Sequence, residues 1–115
     1  MFGRDSAEGY QGIIPGIRIK TLAAGERTLM AKFLLKGGSA LPAHSHPYEQ
    51  TGYLVSGMLR LYIAEEPREL GPGDSWCVPS GVAHRADALA DCVALEIFSP
   101  AREDYLKYLR PEDVS

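Results

Sequence analysis

Gly38-Ser-Ala-Leu-Pro-Ala-His44-Ser-His46-Pro-Tyr-Glu49-Gln50-Thr-Gly-Tyr-Leu-Val-Ser-Gly57 is the stretch whose reading decides the fold. It holds two of the three histidines in the chain, one residue apart, and the third, His84, follows a second segment punctuated by glycine and proline. Side chains on an extended strand alternate between faces, so residues two apart project the same way. His44-Ser-His46 therefore delivers two imidazoles to one side of a sheet, where one metal ion can take both. Glu49 and Gln50 face opposite ways on a regular strand, so only one of them points with the histidines. Pro47-Tyr48 interrupts the strand and makes a count of parity from His46 unsafe; spacing alone leans to Gln50.

Outward from this stretch the chain reads as short strands between turns. With 12 glycines and 8 prolines in 115 residues, turn formers are abundant. Gly16 to Leu22 alternates apolar and polar residues, the pattern of a half-buried strand. Thr28 to Lys36 is a second strand, ended by Gly37-Gly38. Leu41 to His46 is short and extended. Gln50 to Ser56 is the next strand, Gly57 a tight turn, and Met58 to Ala64 returns antiparallel to it. Glu65-Glu66-Pro67 connects to Arg68–Leu70, and Gly71-Pro-Gly73-Asp74 is a turn. Ser75 to Val78, Val82 to Ala86 and Asp91 to Phe98 complete the series, while residues 1–12 read as a loop or a loosely attached edge. Only the tail has a helical pattern. Ser99 offers an N-cap, Pro100 the first helical position, Tyr105, Leu106 and Leu109 an apolar face, and Pro111 a stop. About ten short strands separated by turns argue for an all-β barrel or sandwich, in one domain spanning 1–115.

Charge narrows the partners. A formal net charge of −3 leaves no electrostatic footprint for nucleic acid or an anionic membrane. No segment reaches the ~18 apolar residues a membrane span needs. The first residues lack the apolar core of a signal peptide, so the expected compartment is cytoplasmic. Cys77 and Cys92 form no zinc or redox motif and read as buried free thiols.

Three imidazoles and a nearby oxygen donor suit zinc, nickel, copper, iron or cobalt, with manganese tolerated. At this point the chain resembles the cupin family. Its first motif has a glycine, five residues, His-x-His, three or four residues, an acid, six residues and a glycine. Here Gly38 is followed by five residues, His44-Ser-His46, three residues, Gln50, six residues and Gly57. The second motif appears as Gly73, five residues, Pro79-x-Gly81, two residues and His84, with fifteen residues between Gly57 and Gly73. The resemblance implies a cupin β-jelly-roll barrel with a short C-terminal helix. It also implies one divalent metal ion (Zn, Ni, Mn, Fe or Co) held by His44, His46, Gln50 and His84. Two positions depart from the pattern: Gln50 stands where many cupins carry glutamate, and Ala88 where the second motif often ends in asparagine. Three neutral imidazoles and a neutral amide leave a divalent ion its full charge, which favours an anionic or hydroxy-carbonyl ligand.

The resemblance extends to small cupins of the pectin-degradation type. These combine His-x-His-Pro-x-Glu-Gln with a terminal Phe-Ser-Pro-x-Arg-Glu-Asp-Tyr, present here as Phe98 to Tyr105. Such proteins convert unsaturated uronate monosaccharides to the open-chain keto form. The analogy implies that Arg102 grips the substrate carboxylate and that Glu96, where the relatives look to carry aspartate, transfers protons. Glu96 is also notable on its own, as a carboxyl in the apolar run Val93 to Phe98. Other readings stand beside this one. The chain could be a metal-dependent dioxygenase or a non-catalytic small-ligand binder, and the ion could be structural. Arg102 and Glu103 could be a solvated helical turn. Trp76, Tyr53 and Tyr62 read as core or dimer-contact aromatics. Edge strands that invite pairing across a two-fold axis point to a homodimer.

Overall fold

The computed structural model describes residues 1–115, folded into ten strands and two short 3-10 turns. The strands are β1 (Gln11–Ile14), β2 (Ile17–Ala24), β3 (Leu29–Leu35), β4 (Ala40–His44) and β5 (Glu49–Ser56). They continue as β6 (Leu59–Ile63), β7 (Glu66–Leu70), β8 (Ser75–Val78), β9 (His84–Ala88) and β10 (Cys92–Ser99). A six-stranded sheet, ordered β1-β2-β3-β10-β5-β8, faces a four-stranded sheet ordered β4-β9-β6-β7, and all pairing is antiparallel. This is the jelly-roll architecture, with the core between the sheets. No helix is long and apolar enough to cross a membrane.

Period-two burial builds that core. On β3 the pattern buries Leu29, Ala31, Phe33 and Leu35 in alternation, and β2 and β10 supply Ile17, Ile19, Ala94 and Phe98 opposite them. The same alternation corrects the cysteine reading. On β8, Trp76 and Val78 point inward, so Cys77 faces out and is exposed, while Cys92 is buried. Tyr53 and Tyr62 also leave the core. Tyr53 is exposed, and Tyr62 carries the Arg85 guanidinium 3.5 Å above its ring.

Gly57 does not close a hairpin. β5 and β6 belong to different sheets, because at Gly57 the chain turns the corner with φ +98 and its Cα lies against Asp91 and Cys92, leaving no room for a Cβ. The hairpin that does form, between β6 and β7, turns at Ala64-Glu65, both at positive φ, one residue before the expected connection. Pro67 is tolerated inside β7 because that strand is a sheet edge.

The tail is helical only as 3-10 turns. Ser99 ends β10, Arg102 is the N-cap of the turn Glu103–Tyr108, and Pro111 opens a second turn, Pro111–Asp113, rather than stopping the first. Three residues per turn put Leu106 on the outside, where it is exposed. The first residues are tied down: Gly3 bridges Val114, and Arg4 N–H donates to the carbonyl of Asp113. Lys20 anchors this crossing. It points out of the sheet yet is 1% exposed, because its ammonium donates to Ser6 and the Glu8 carbonyl and pairs with Asp113 at 2.5 Å.

Two predictions follow from these contacts. A Cβ at Gly52 would collide with the rigid indole of Trp76, so Gly52→Ala should cost about 1–3 kcal/mol in chemical denaturation. Adding Trp76→Leu should recover part of that loss; a simple sum of the two single losses would show that the pair does not interact. The hydrogen bond from Lys20 holds the Asp113 carboxyl below its ordinary value of 3.8. A depressed carboxyl stabilises the fold above its unfolded pKa and loses that contribution as pH falls through the folded one. The melting temperature should therefore fall more steeply below about pH 4 in the wild type than in Asp113→Asn.

Candidate metal centre

The two sheets meet at the histidines. His44 ends β4 and His84 begins β9, and the two are direct partners in the β4–β9 ladder. His46 comes from the loop between β4 and β5. Ligand atoms of His44, His46 and His84 all lie within 4.8 Å of one another. The six-stranded sheet contributes Gln50 from β5 and Glu96 from β10, both buried, on the inward side.

Each imidazole is oriented by a backbone carbonyl two residues away. His44 Nδ1 lies 2.9 Å from the Pro42 oxygen, His46 Nδ1 3.0 Å from that of Tyr48, and His84 Nδ1 2.9 Å from that of Val82. A carbonyl only accepts, so each Nδ1 carries the proton and each Nε2 presents a lone pair. Burial lowers the pKa of His46 and of His84, with Arg102 adding to the effect at His46. Both rings are then neutral at pH 7, the form that binds a metal.

Two observations fit this donor set to a cation. His84 Nε2 is buried without any hydrogen-bond partner, a costly state that an ion relieves. Gln50 donates from Nε2 to Glu96 Oε2 at 2.8 Å, which leaves its Oε1 facing His46 Nε2 at 2.9 Å. Two lone-pair atoms that close repel each other unless positive charge lies between them. Adjacent ligands at right angles, each about 2.1 Å from an ion, stand about 3 Å apart. Glu49, the alternative oxygen donor, is exposed on the other side of β5.

Glu96 lies beneath this cluster. Burial pushes its carboxyl up to about 8, against the hydrogen bond from Gln50, so it holds a proton at pH 7. On the adjacent strands Gly52 and Trp76 stand in register with it. The indole lies across Gly52 and turns its N–H toward the Glu96 carboxyl without reaching hydrogen-bonding geometry. At the mouth, the Arg102 guanidinium stacks 3.8 Å from the Tyr105 ring centre, lies 5.1 Å from that of Phe98 and pairs with Asp104 at 3.0 Å. Arg102 is thus held over the chamber, its side chain only 14% exposed, rather than solvated in a helical turn. Tyr105 and Phe98, not singled out from the sequence as site residues, form this wall; their aromatic spacing around Arg102 was the available signal. The chamber lined by His44, Gln50, His84, Glu96 and Arg102 is small, about 50 Å³, room for an ion and a water.

Two facing antiparallel sheets with converging histidines between them define a jelly-roll protein with a metal-type donor set. Residues 31–98 match the Cupin domain family, and the chain belongs to that family. It is similar to the solved structure of KdgF from Halomonas sp., with TM-score 0.86 and 30% identity over 90% of this chain and 96% of that one. An RmlC-like cupin from Shewanella frigidimarina superposes with TM-score 0.82 and 27% identity, covering 89% of this chain and 94% of that one. Among curated proteins, oxalate decarboxylase OxdC of Bacillus subtilis is 28% identical over 80 residues, which is 65% of this chain and 21% of that protein. The chain spans about a fifth of that relative's length.

If the lone pairs converge on one ion, adding zinc or nickel at about 100 times its dissociation constant should stabilise the protein by about 2.7 kcal/mol. His84→Ala should abolish that thermal shift. An equal shift in the variant would show that the ion binds elsewhere.

Proposed function

We propose that this chain is a mononuclear metal enzyme that converts unsaturated uronate monosaccharides to their open-chain keto form. The observation that carries the reading is a single chamber lined by His44 and His84 of the histidine cluster, a protonated buried carboxyl and a restrained guanidinium. The sequence resemblance to cupins of the pectin-degradation type supports the choice of substrate. Zinc, nickel, manganese, iron or cobalt suits the donors.

The isomerisation breaks one bond and moves one proton. The hydroxyl at C1 of the ring gives up its proton to water at the mouth, which returns a proton to Glu96 at the end of the cycle. A carbonyl forms at C1 as the C1–O5 bond breaks, and the electron pair of that bond leaves an enolate across O5, C5 and C4. Protonation at C4 completes the ketone at C5. His44, His46, His84 and Gln50 would hold the ion, which supplies Lewis-acid charge for the enolate oxygen when bound. Glu96 holds a proton at its buried carboxyl and is the group to deliver it to C4. Arg102 takes the substrate carboxylate, a bidentate task its planar fork suits. The aromatic wall of Phe98 and Tyr105 keeps that fork in place and excludes water.

A chamber of about 50 Å³ does not enclose a sugar. The ring therefore lies across the mouth, with the segment carrying Arg102 and Tyr105 shifting outward to admit it. The same small volume favours, as a second reading, a short hydroxy-carbonyl acid in place of the sugar acid.

Incubating metal-loaded protein with an unsaturated galacturonate should remove the ultraviolet absorbance of the conjugated acid. Glu96→Gln should lower kcat about 10²–10⁴-fold with KM little changed, whereas Arg102→Ala should act mainly on KM. Unchanged absorbance with the loaded wild type rules out the uronate reading, and turnover of a short hydroxy-carbonyl acid in that case selects the second.

A further inference from the structure

We propose that Thr21 is a positioning residue of the site: its hydroxyl latches the 3-10 turn Glu103–Tyr108 onto β2 and so aims the Arg102 guanidinium at the substrate carboxylate. The role in substrate binding rests on the uronate reading; the latch itself rests on contacts within the chain.

Thr21 is a polar residue of the inner face that the metal centre and the proton transfer leave unused, and it is 1% exposed. The ladders set it opposite Ala31, Ala31 opposite Glu96, and Glu96 opposite Gly52. Residues directly opposite one another share a face of a sheet, so Thr21 and Glu96 lie in one inward row, two strands apart. A hydroxyl buried there needs a partner. Thr21 Oγ1 finds it outside the sheet, donating to the Tyr105 carbonyl at 2.7 Å, and the Thr21 backbone bridges Leu109. Between Thr21 and Ala23 the ladder to β3 takes up one extra residue, a bulge of the kind that re-aims a side chain.

From Tyr105 the constraint passes to Arg102. The Tyr105 N–H donates to the Arg102 carbonyl at 3.0 Å, and the Tyr105 ring lies against the guanidinium. Asp104 accepts from Arg102 Nε with both carboxylate oxygens, at 3.0 and 3.1 Å, which leaves the two Nη groups for a substrate carboxylate. The ends of the segment are fixed independently. Ser99 belongs to β10, and Arg110 pairs with Glu8 at 2.6 Å and with Asp113 at 2.8 Å. Between those anchors two side chains of the sheet region hydrogen-bond to the segment: Thr21, and the exposed Gln11, whose Nε2 stands 3.4 Å from the Lys107 carbonyl. The first bond is short and shielded from water, the second long and solvated, so the first is the one that holds. The outward shift that admits a sugar breaks this buried bond and leaves both anchors in place, as in hinged closure around a ligand.

Thr21→Val removes the hydroxyl and keeps the shape. Hydrogen exchange of the full chain should then show the Tyr105 and Leu109 amides exchanging about 2- to 12-fold faster, the worth of one hydrogen bond, with the β10 amides unchanged. Phenylglyoxal should modify Arg102, whose side chain is 14% exposed, faster in the variant, and the exposed Arg68 no faster. Metal-loaded Thr21→Val should raise KM for the unsaturated galacturonate at least about 3-fold with kcat within about 2-fold. Thr21→Ser should return all three readings to those of the wild type. Ile17→Ala, a core truncation on the same strand away from the segment, should leave KM unchanged. Thr21→Ala repeats the series should the valine variant not fold. Exchange and labelling need no substrate, so a wild type inactive on the uronate ends the functional reading while those two measurements still decide the latch. Exchange and labelling in Thr21→Val equal to the wild type, an unchanged KM in an active enzyme, a Thr21→Ser protein that behaves as the valine variant, or an equal rise in KM from Ile17→Ala would each overturn the proposal.

Discussion

Three peptide carbonyls, those of Pro42, Tyr48 and Val82, fix the direction of the donors at the centre of this protein. Each accepts the Nδ1 proton of a histidine two residues away, and so turns the Nε2 lone pair inward. The constraint is local, because it needs only the geometry of a short extended or looped stretch. It does not wait for distant packing. The ladder between β4 and β9 then brings His44 and His84 face to face, and the loop after His44 folds His46 back to join them. What the rest of the fold adds is exclusion of water. That exclusion leaves His84 Nε2 orphaned and keeps the imidazoles of His46 and His84 neutral.

β10 carries the second half of the design. A buried carboxyl is expensive to ionise, and burial keeps Glu96 protonated at neutral pH. The position is made possible by its neighbours in register. Gly52 has no side chain, so the Trp76 indole can lie across β5 and close the chamber on one side of Glu96. Gln50 closes it on the other with a donated hydrogen bond. The carboxyl is thus boxed by a flat aromatic ring and an amide.

Much of this was legible in the sequence, and for identifiable reasons. The glycine and proline punctuation and the three histidines at their motif positions predict the jelly roll and the residues that cluster, because turn chemistry is a local property. Strand parity is not what joins His46 to His44, since β4 ends at His44 and His46 returns from the loop. For Gln50 over Glu49 the spacing gave only a lean, which the cupin resemblance carried further, and β5 turns Gln50 inward and Glu49 out. What failed was non-local. Gly57 looks like a hairpin turn, yet the neighbouring Asp91 and Cys92 decide that the chain changes sheets there. The helical spacing of Tyr105, Leu106 and Leu109 is real but weak over so few residues. Tyr105 is claimed by Phe98 and Arg102, and the segment settles into 3-10 turns instead. Cys77 shows the cost of reading an apolar run without its parity: the thiol simply faces out.

The departure of Gln50 from the acid of the family pattern has a physical partner in this chain. Its amide works in both directions, offering Oε1 to the histidine cluster and donating from Nε2 to Glu96. A glutamate at position 50 could do only the first. It would also set a second carboxyl within hydrogen-bonding distance of Glu96, where two negative charges cannot both persist and one group must hold a proton. A shared proton would leave neither carboxyl free to act as an independent acid. With an amide at position 50 the proton belongs to Glu96 alone, and the histidine cluster keeps a neutral oxygen donor. On the proposed reading, that division leaves the ion its full charge to draw an anionic substrate, with Arg102 at the mouth adding to the pull. Gln50 and Glu96 are therefore best understood as one pair, each making the other's chemistry possible.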